Sequence, residues 1–147
     1  MPKNQKREKN KNQSQNQIRS HNHKQRPVQI LIVEDVESMR SFLEVFLGAI
    51  ADVKVSGVAK NTWEARIALT RQRPDLVLLD EILPGESSLD LLKEINAHGI
   101  PVLLMTGLER PTHPLPDGAC ARLSKPAWDS VDEDRERFKK AILKAAP

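Results

Sequence analysis

Three short runs, Ile30-Leu31-Ile32-Val33, Leu76-Val77-Leu78-Leu79 and Val102-Leu103-Leu104-Met105, are apolar at every position. A strand turns successive side chains to opposite faces, so each run must be buried on both. A parallel sheet covered by helices on both sides meets that demand. Two of the runs end in acid, at Glu34-Asp35 and at Asp80. Parallel strands share a direction, so three carboxylates are expected at one edge of the sheet. Such a cluster is electrostatically costly unless a cation sits in it.

The segments between these runs have the helical period. Met39, Phe42, Leu43, Phe46 and Leu47 place a helix over about Glu37–Gly48. Asn61, with Glu64 three residues on, predicts a helix from Thr62 to Gln72. Leu89, Leu91, Leu92 and Ile95 predict a third, from Ser87 or Ser88 to His98-Gly99. Ser130-x-x-Glu133 reads as a capping box opening the last helix, with Phe138, Ala141, Ile142 and Ala145 on its apolar side. Val53–Val58 alternates apolar and polar, as an edge strand does. A fifth strand is expected over about 119–123. Between the fourth and fifth strands, Pro111, Pro114 and Pro116 oppose a regular helix, so a fourth helix there is expected to be short or missing. Five βα units in roughly 120 residues describe a doubly wound α/β domain, with its ligand crevice at the carboxyl ends of the strands.

Charge is uneven. Residues 1–26 carry eight Lys/Arg against Glu8 alone, and the whole 147-residue chain is only +3. The folded part, 27–147, is therefore acidic on balance. The Asn/Gln/Lys-rich segment 1–26 has too little apolar surface to offset ordering entropy and reads as a disordered basic tail. Without aromatic residues it is suited to nonspecific contact with anionic surfaces, not to sequence-specific nucleic acid. His21 and His23 in it read as incidental. The sequence holds no apolar run long enough to span a bilayer and only one cysteine, Cys120, which together fit a reducing, cytoplasmic setting. Cys120 is expected as a small buried hydrophobe on the fifth strand.

Glu34, Asp35 and Asp80 offer oxygens to a hard cation, and Mg²⁺ suits few carboxylates, retained waters and a phosphate. A strand-end carboxylate beside that metal is placed to attack phosphorus. Lys125 can add a second positive contact. The Thr106 hydroxyl can hydrogen-bond a phosphate oxygen, and Gly107 leaves room for a donor to enter. A cis Lys125-Pro126 bond would aim the lysine inward. Taken singly these residues have plainer readings: a solvated turn for Glu34-Asp35, a loop cap for Asp80, a turn hydroxyl for Thr106, a surface lysine for Lys125. Their common register at strand ends argues against those.

Val33-Glu34-Asp35, Asp80 with Leu83-Pro84, Met105-Thr106-Gly107 and Ser124-Lys125-Pro126 resemble the receiver domain of bacterial two-component response regulators, over about 28–145. Met39-Arg40 look like the first-helix pair of that family. The resemblance implies a flavodoxin-like sheet in the order 2-1-3-4-5. It implies Asp80 as phospho-acceptor and Mg²⁺ held by Asp35 and Asp80, with Glu34 helping through water and the Ile82 backbone carbonyl completing the site. Thr106 would sense the phosphoryl group and Lys125 would contact it. The donor would be a histidine kinase or a histidine phosphotransfer protein.

The chain departs from the family pattern on its output side. Arg122 stands where an aromatic switch residue is common; it is either a charge guarding an edge strand or a signalling residue. Ala127-Trp128 replace the usual Phe after Lys-Pro, and Ser87-Ser88 replace an Asp-Gly. The expectation is a stand-alone receiver that switches an output protein and turns over no substrate of its own. One alternative is a degenerate receiver acting without phosphorylation. Another is an aspartyl-phosphate phosphatase or phosphotransferase. Ile82, two residues after Asp80, lacks the second carboxylate that haloacid dehalogenase-type enzymes use.

Overall fold

The computed structural model describes residues 26–107 and 113–147. The expected tail with His21 and His23, and the part of the proline-rich connection at 108–112, lie outside the described residues. Strands β1 (Val28–Val33), β2 (Val53–Ala59), β3 (Leu76–Asp80), β4 (Val102–Thr106) and β5 (Ala119–Ser124) are joined through helices α1 (Glu37–Gly48), α2 (Thr62–Arg71) and α3 (Ser88–Ala97), and α4 (Val131–Ala145) follows β5. The sheet is parallel throughout, in the order β2-β1-β3-β4-β5. Among the described residues no helix lies between β4 and β5.

Alternation along the strands divides the core in two. Ile30, Ile32, Leu76, Leu78, Leu103 and Met105 face α1 and α4, meeting Phe42, Phe46, Leu47, Phe138 and Ile142. Leu31, Val33, Val77, Leu79, Val102 and Leu104 face the other way, against Ala65 of α2 and Leu91, Leu92 and Ile95 of α3. Phe46 and Phe138 meet edge to face at 5.2 Å between ring centroids. Truncating either fully buried ring to alanine would cost about 3–5 kcal/mol.

The helix ends mostly follow the local sequence. Asn61 Oδ1 accepts from the Glu64 amide at 2.8 Å, and α3 stops at Gly99, whose φ of +74° suits glycine. The last helix departs from expectation. Trp128–Ser130 form a 3₁₀ turn, and Ser130 sits at φ −131°, ψ 28°, away from the extended backbone of an N-cap. The predicted capping box with Glu133 does not form. Instead Asp134 Oδ2 accepts from the Ser130 hydroxyl at 2.7 Å and the Ala127 amide at 2.9 Å, while Oδ1 accepts from Arg137 at 2.9 Å.

Cys120 is a second correction: it is exposed. Strand β5 is an edge strand with only Leu123 fully buried, so an apolar-looking residue on it need not face the core.

Candidate functional site

Register brings the chemistry together. Val33 is level with Leu79, Asp80 with Met105, and Thr106 with Ser124. One step along each strand therefore sets Glu34, Asp80, Thr106 and Lys125 at a single edge. Glu34 is fully buried and Asp80 and Thr106 nearly so, whereas Asp35 is half-buried. Ligand oxygens of Glu34, Asp35 and Asp80 all lie within 4.8 Å of one another. The burial of Glu34 excludes a solvated turn for its side chain, while Asp80, also buried, does accept from the loop at the Ile82 amide.

Lys125 supplies the counter-charge. Its Nζ lies 3.1 Å from Asp80 Oδ2 and donates to Glu34 Oε1 at 3.2 Å. Glu34 Oε2 is also 3.0 Å from that nitrogen, but without hydrogen-bond alignment, and no other donor among the described residues reaches it. No peptide bond among the described residues is cis, so the lysine reaches inward from a trans Lys125-Pro126 bond. Burial opposes the ammonium, but the hydrogen bonds to Glu34 and Asp80 and their charges outweigh it and raise the Lys125 pKa. Burial is the largest influence on Asp80, and with the Glu34 charge it lifts that carboxyl to about 6, against the Ile82 amide and Lys125. Two buried carboxylates thus share the Lys125 ammonium, with the Asp35 carboxylate close by. An all-oxygen cluster with an orphaned buried oxygen fits a hard divalent cation such as Mg²⁺.

Neighbouring groups hold these side chains in place. The Ile82 amide donates to Asp80 Oδ1 at 3.0 Å, and the Ile82 side chain is exposed. Ser88, at the start of α3, donates its hydroxyl to the Asp80 carbonyl at 2.8 Å. Arg40 of α1 donates to the carbonyls of Glu34, at 2.9 Å, and Asp35, at 2.8 Å. The Lys125 amide donates to the Thr106 carbonyl at 2.8 Å, fixing β5 to β4 where both strands end. Gly107 is exposed, and a Cβ there would meet open space.

Arg122 is not a charge pointing off an edge strand. Its side chain is only 9% exposed and grips the Glu81 carboxylate, with Nη2 at 2.6 Å from Oε1 and Nε at 3.0 Å from Oε2. It also donates to the carbonyls of His113, at 2.9 Å, and Pro114, at 3.3 Å.

Sequence reasoning missed Ser88 as a support of the site and Glu81 as the partner of Arg122. It named Arg40 only as part of a residue pair. Their contacts are long-range or to backbone, so no local spacing signals them; the nearest hint is that Glu81 directly follows the acidic strand end.

Comparison with known proteins bears on the family and the fold. The response regulator receiver domain model matches residues 30–130. A protein-glutamate methylesterase/protein-glutamine glutaminase of Agrobacterium fabrum is 35% identical over 104 residues, 70% of this chain and 29% of that protein. One from Anaeromyxobacter dehalogenans is 31% identical over 130 residues, 82% of this chain and 36% of that protein. The chain therefore spans about a third of the length of these curated relatives. Among solved structures, the response regulator domain of Thermotoga maritima CheB superposes with a TM-score of 0.70 at 24% identity, covering 82% of this chain and 96% of that one. CheY6 of R. sphaeroides, solved with the P1 domain of CheA3, gives 0.70 at 23% identity, covering 82% and 99%.

Proposed function

The chain belongs to the response regulator receiver family, and on that premise we propose that it is a phosphorylation-controlled switch whose acceptor is Asp80. The observation that carries this reading is the convergence of Glu34, Asp35, Asp80 and Lys125 within hydrogen-bonding and metal-ligating reach. In the proposed step an Asp80 carboxylate oxygen attacks phosphorus and forms an acyl phosphate. The bond to the donor breaks, and its electron pair leaves with a histidine imidazole, or with acetate when acetyl phosphate is the donor. Ionised Asp80 is the nucleophile, and its raised pKa leaves it mostly ionised at neutral pH.

Mg²⁺, held by Asp35 and Asp80 with Glu34 and the Ile82 carbonyl, would neutralise charge on the transferring group. Lys125 follows the new charge, giving up Asp80 Oδ2 for a phosphoryl oxygen. Thr106 offers its hydroxyl to another, and exposed Gly107 leaves the approach open. The partners are a histidine kinase or histidine phosphotransfer protein as donor and an output protein whose binding follows the switch. The CheY6 complex with the P1 domain of CheA3 is a precedent for a protein partner on this fold. In this reading the chain turns over no substrate independently, its residues 27–147 form the receiver, and it works in the cytoplasm. No helix among the described residues is long and apolar enough to cross a membrane.

Acetyl phosphate with Mg²⁺ should add one acid-stable, hydroxylamine-labile phosphate to the wild type and none to Asp80→Asn. Undiminished labelling of Asp80→Asn contradicts the assignment.

A further inference from the structure

Two ion pairs run side by side from β5 to the end of β3. Lys125 reaches Asp80, and Arg122, three residues earlier, reaches Glu81, the residue next to Asp80. The second pair has no part in the chemistry described above. It is nonetheless well built: Nε and Nη2 both engage the carboxylate, and Nη1 and Nη2 reach two carbonyls of the chain returning from β4. Glu81 is itself tied down, its amide donating to the Met105 carbonyl at 2.8 Å. One planar fork thus joins the residue beside the acceptor, strand β5 and residues 113–114. A lysine would not replace it, because its single nitrogen cannot make the two-pronged contact to the carboxylate while also reaching carbonyls that separate guanidinium nitrogens serve here.

Resting on the reading of Asp80 as acceptor, we propose that the Glu81–Arg122 ion pair is the link through which the phosphorylation state of Asp80 reaches the connection at 113–118. The physical reason is charge. An acyl phosphate on Asp80 adds negative charge beside Glu81, and Lys125 leaves Asp80 Oδ2 to meet it. The negative charge that Lys125 leaves uncompensated draws the guanidinium toward the strand end. The two carbonyl contacts are to neutral groups and the carboxylate contacts are charge-assisted, so the carbonyl contacts are the ones given up. Residues 113–114 then lose their anchor and the surface they form changes. The guanidinium remains charged in both states, so it responds by moving and not by titrating.

The test is NMR of the full chain before and after labelling with acetyl phosphate and Mg²⁺, following the Arg122 Nε–H signal and the His113 and Leu115 amides. In the wild type all three shift on labelling. In Glu81→Gln, which leaves the acceptor site intact, labelling proceeds but the His113 and Leu115 shifts shrink at least about fivefold. Arg122→Lys, which keeps the charge and removes the fork, gives the same loss and stands in if Glu81→Gln does not fold. Wild type labelled on Asp80 with these three signals unmoved overturns the proposal, as do full-sized His113 and Leu115 shifts in either variant. Wild type that takes no label overturns the acceptor assignment itself, a result distinct from both.

Discussion

The Lys125 ammonium stands 3.1 Å from Asp80 Oδ2, across 45 residues of sequence, and 3.0 Å from the buried Glu34. Among the described residues it is the side-chain cation paired with both buried carboxylates. Removing it should leave both charges uncompensated. Lys125→Ala is expected to lose about 3 kcal/mol at pH 7 without divalent ions. Most of that should return with saturating Mg²⁺, because the metal-ligating oxygens are untouched. Urea titrations with and without MgCl₂ measure both effects.

Asp80 predicts a pH dependence of definite sign. Its folded pKa is lifted from 3.8 to about 6, so the folded state holds this proton more tightly than the unfolded one. Ionisation therefore destabilises the fold. The penalty is absent below about pH 4, grows between about 4 and 6, and levels off above at something on the order of 3 kcal/mol. Asp80→Asn should gain on the wild type through that window. Urea midpoints of both proteins between pH 4 and 7 provide the comparison, and added Mg²⁺ should flatten the difference.

Arg40 touches no ligand oxygen but fixes the backbone that carries two ligands, through the carbonyls of Glu34 and Asp35. Arg40→Ala should weaken Mg²⁺ binding by about 10-fold, the usual scale for a group that orients ligands. Calorimetric titration of folded protein reads the change, and Asp35→Asn serves as the comparison that removes a ligand outright.

At the start of α4 the carboxylate in use is Asp134 and not Glu133. Burial works against its charge, but the Ala127 amide, Arg137 and Ser130 together hold its pKa below the ordinary range. Its contribution is thus present above the unfolded pKa and is lost as pH falls below it. Asp134→Ala should cost about 1–2 kcal/mol at pH 7. Glu133→Ala should change stability by less than about 0.5 kcal/mol. Thermal melts at matched pH separate them.

The fold was legible in the sequence wherever burial on both faces forced an unbroken apolar run, as at Ile30–Val33 and Val102–Met105. The half-exposed edge strand Val53–Ala59 was legible from its alternation. The carboxylate cluster was legible because Glu34, Asp35 and Asp80 end those strands, so finding the strands located the candidate site. β5 was harder. An edge strand has no single inner face, and Cys120 and Arg122 there were read by residue type; one proved exposed and the other proved inward and paired. The Ser130 box failed because a 3₁₀ turn, which its motif does not encode, moved the cap to Asp134. Arg40, Glu81 and Ser88 act through contacts set by tertiary packing, and spacing along the chain carries no trace of those.

Phosphoryl transfer to Asp80 requires a divalent cation bound among Glu34, Asp35 and Asp80. Magnesium titration followed by amide NMR tests that binding most directly. Saturable shifts are expected, centred on residues 34–36 and 80–82, with affinity at least about 10-fold weaker in Asp35→Asn. A wild-type spectrum unmoved by magnesium at those amides would contradict it.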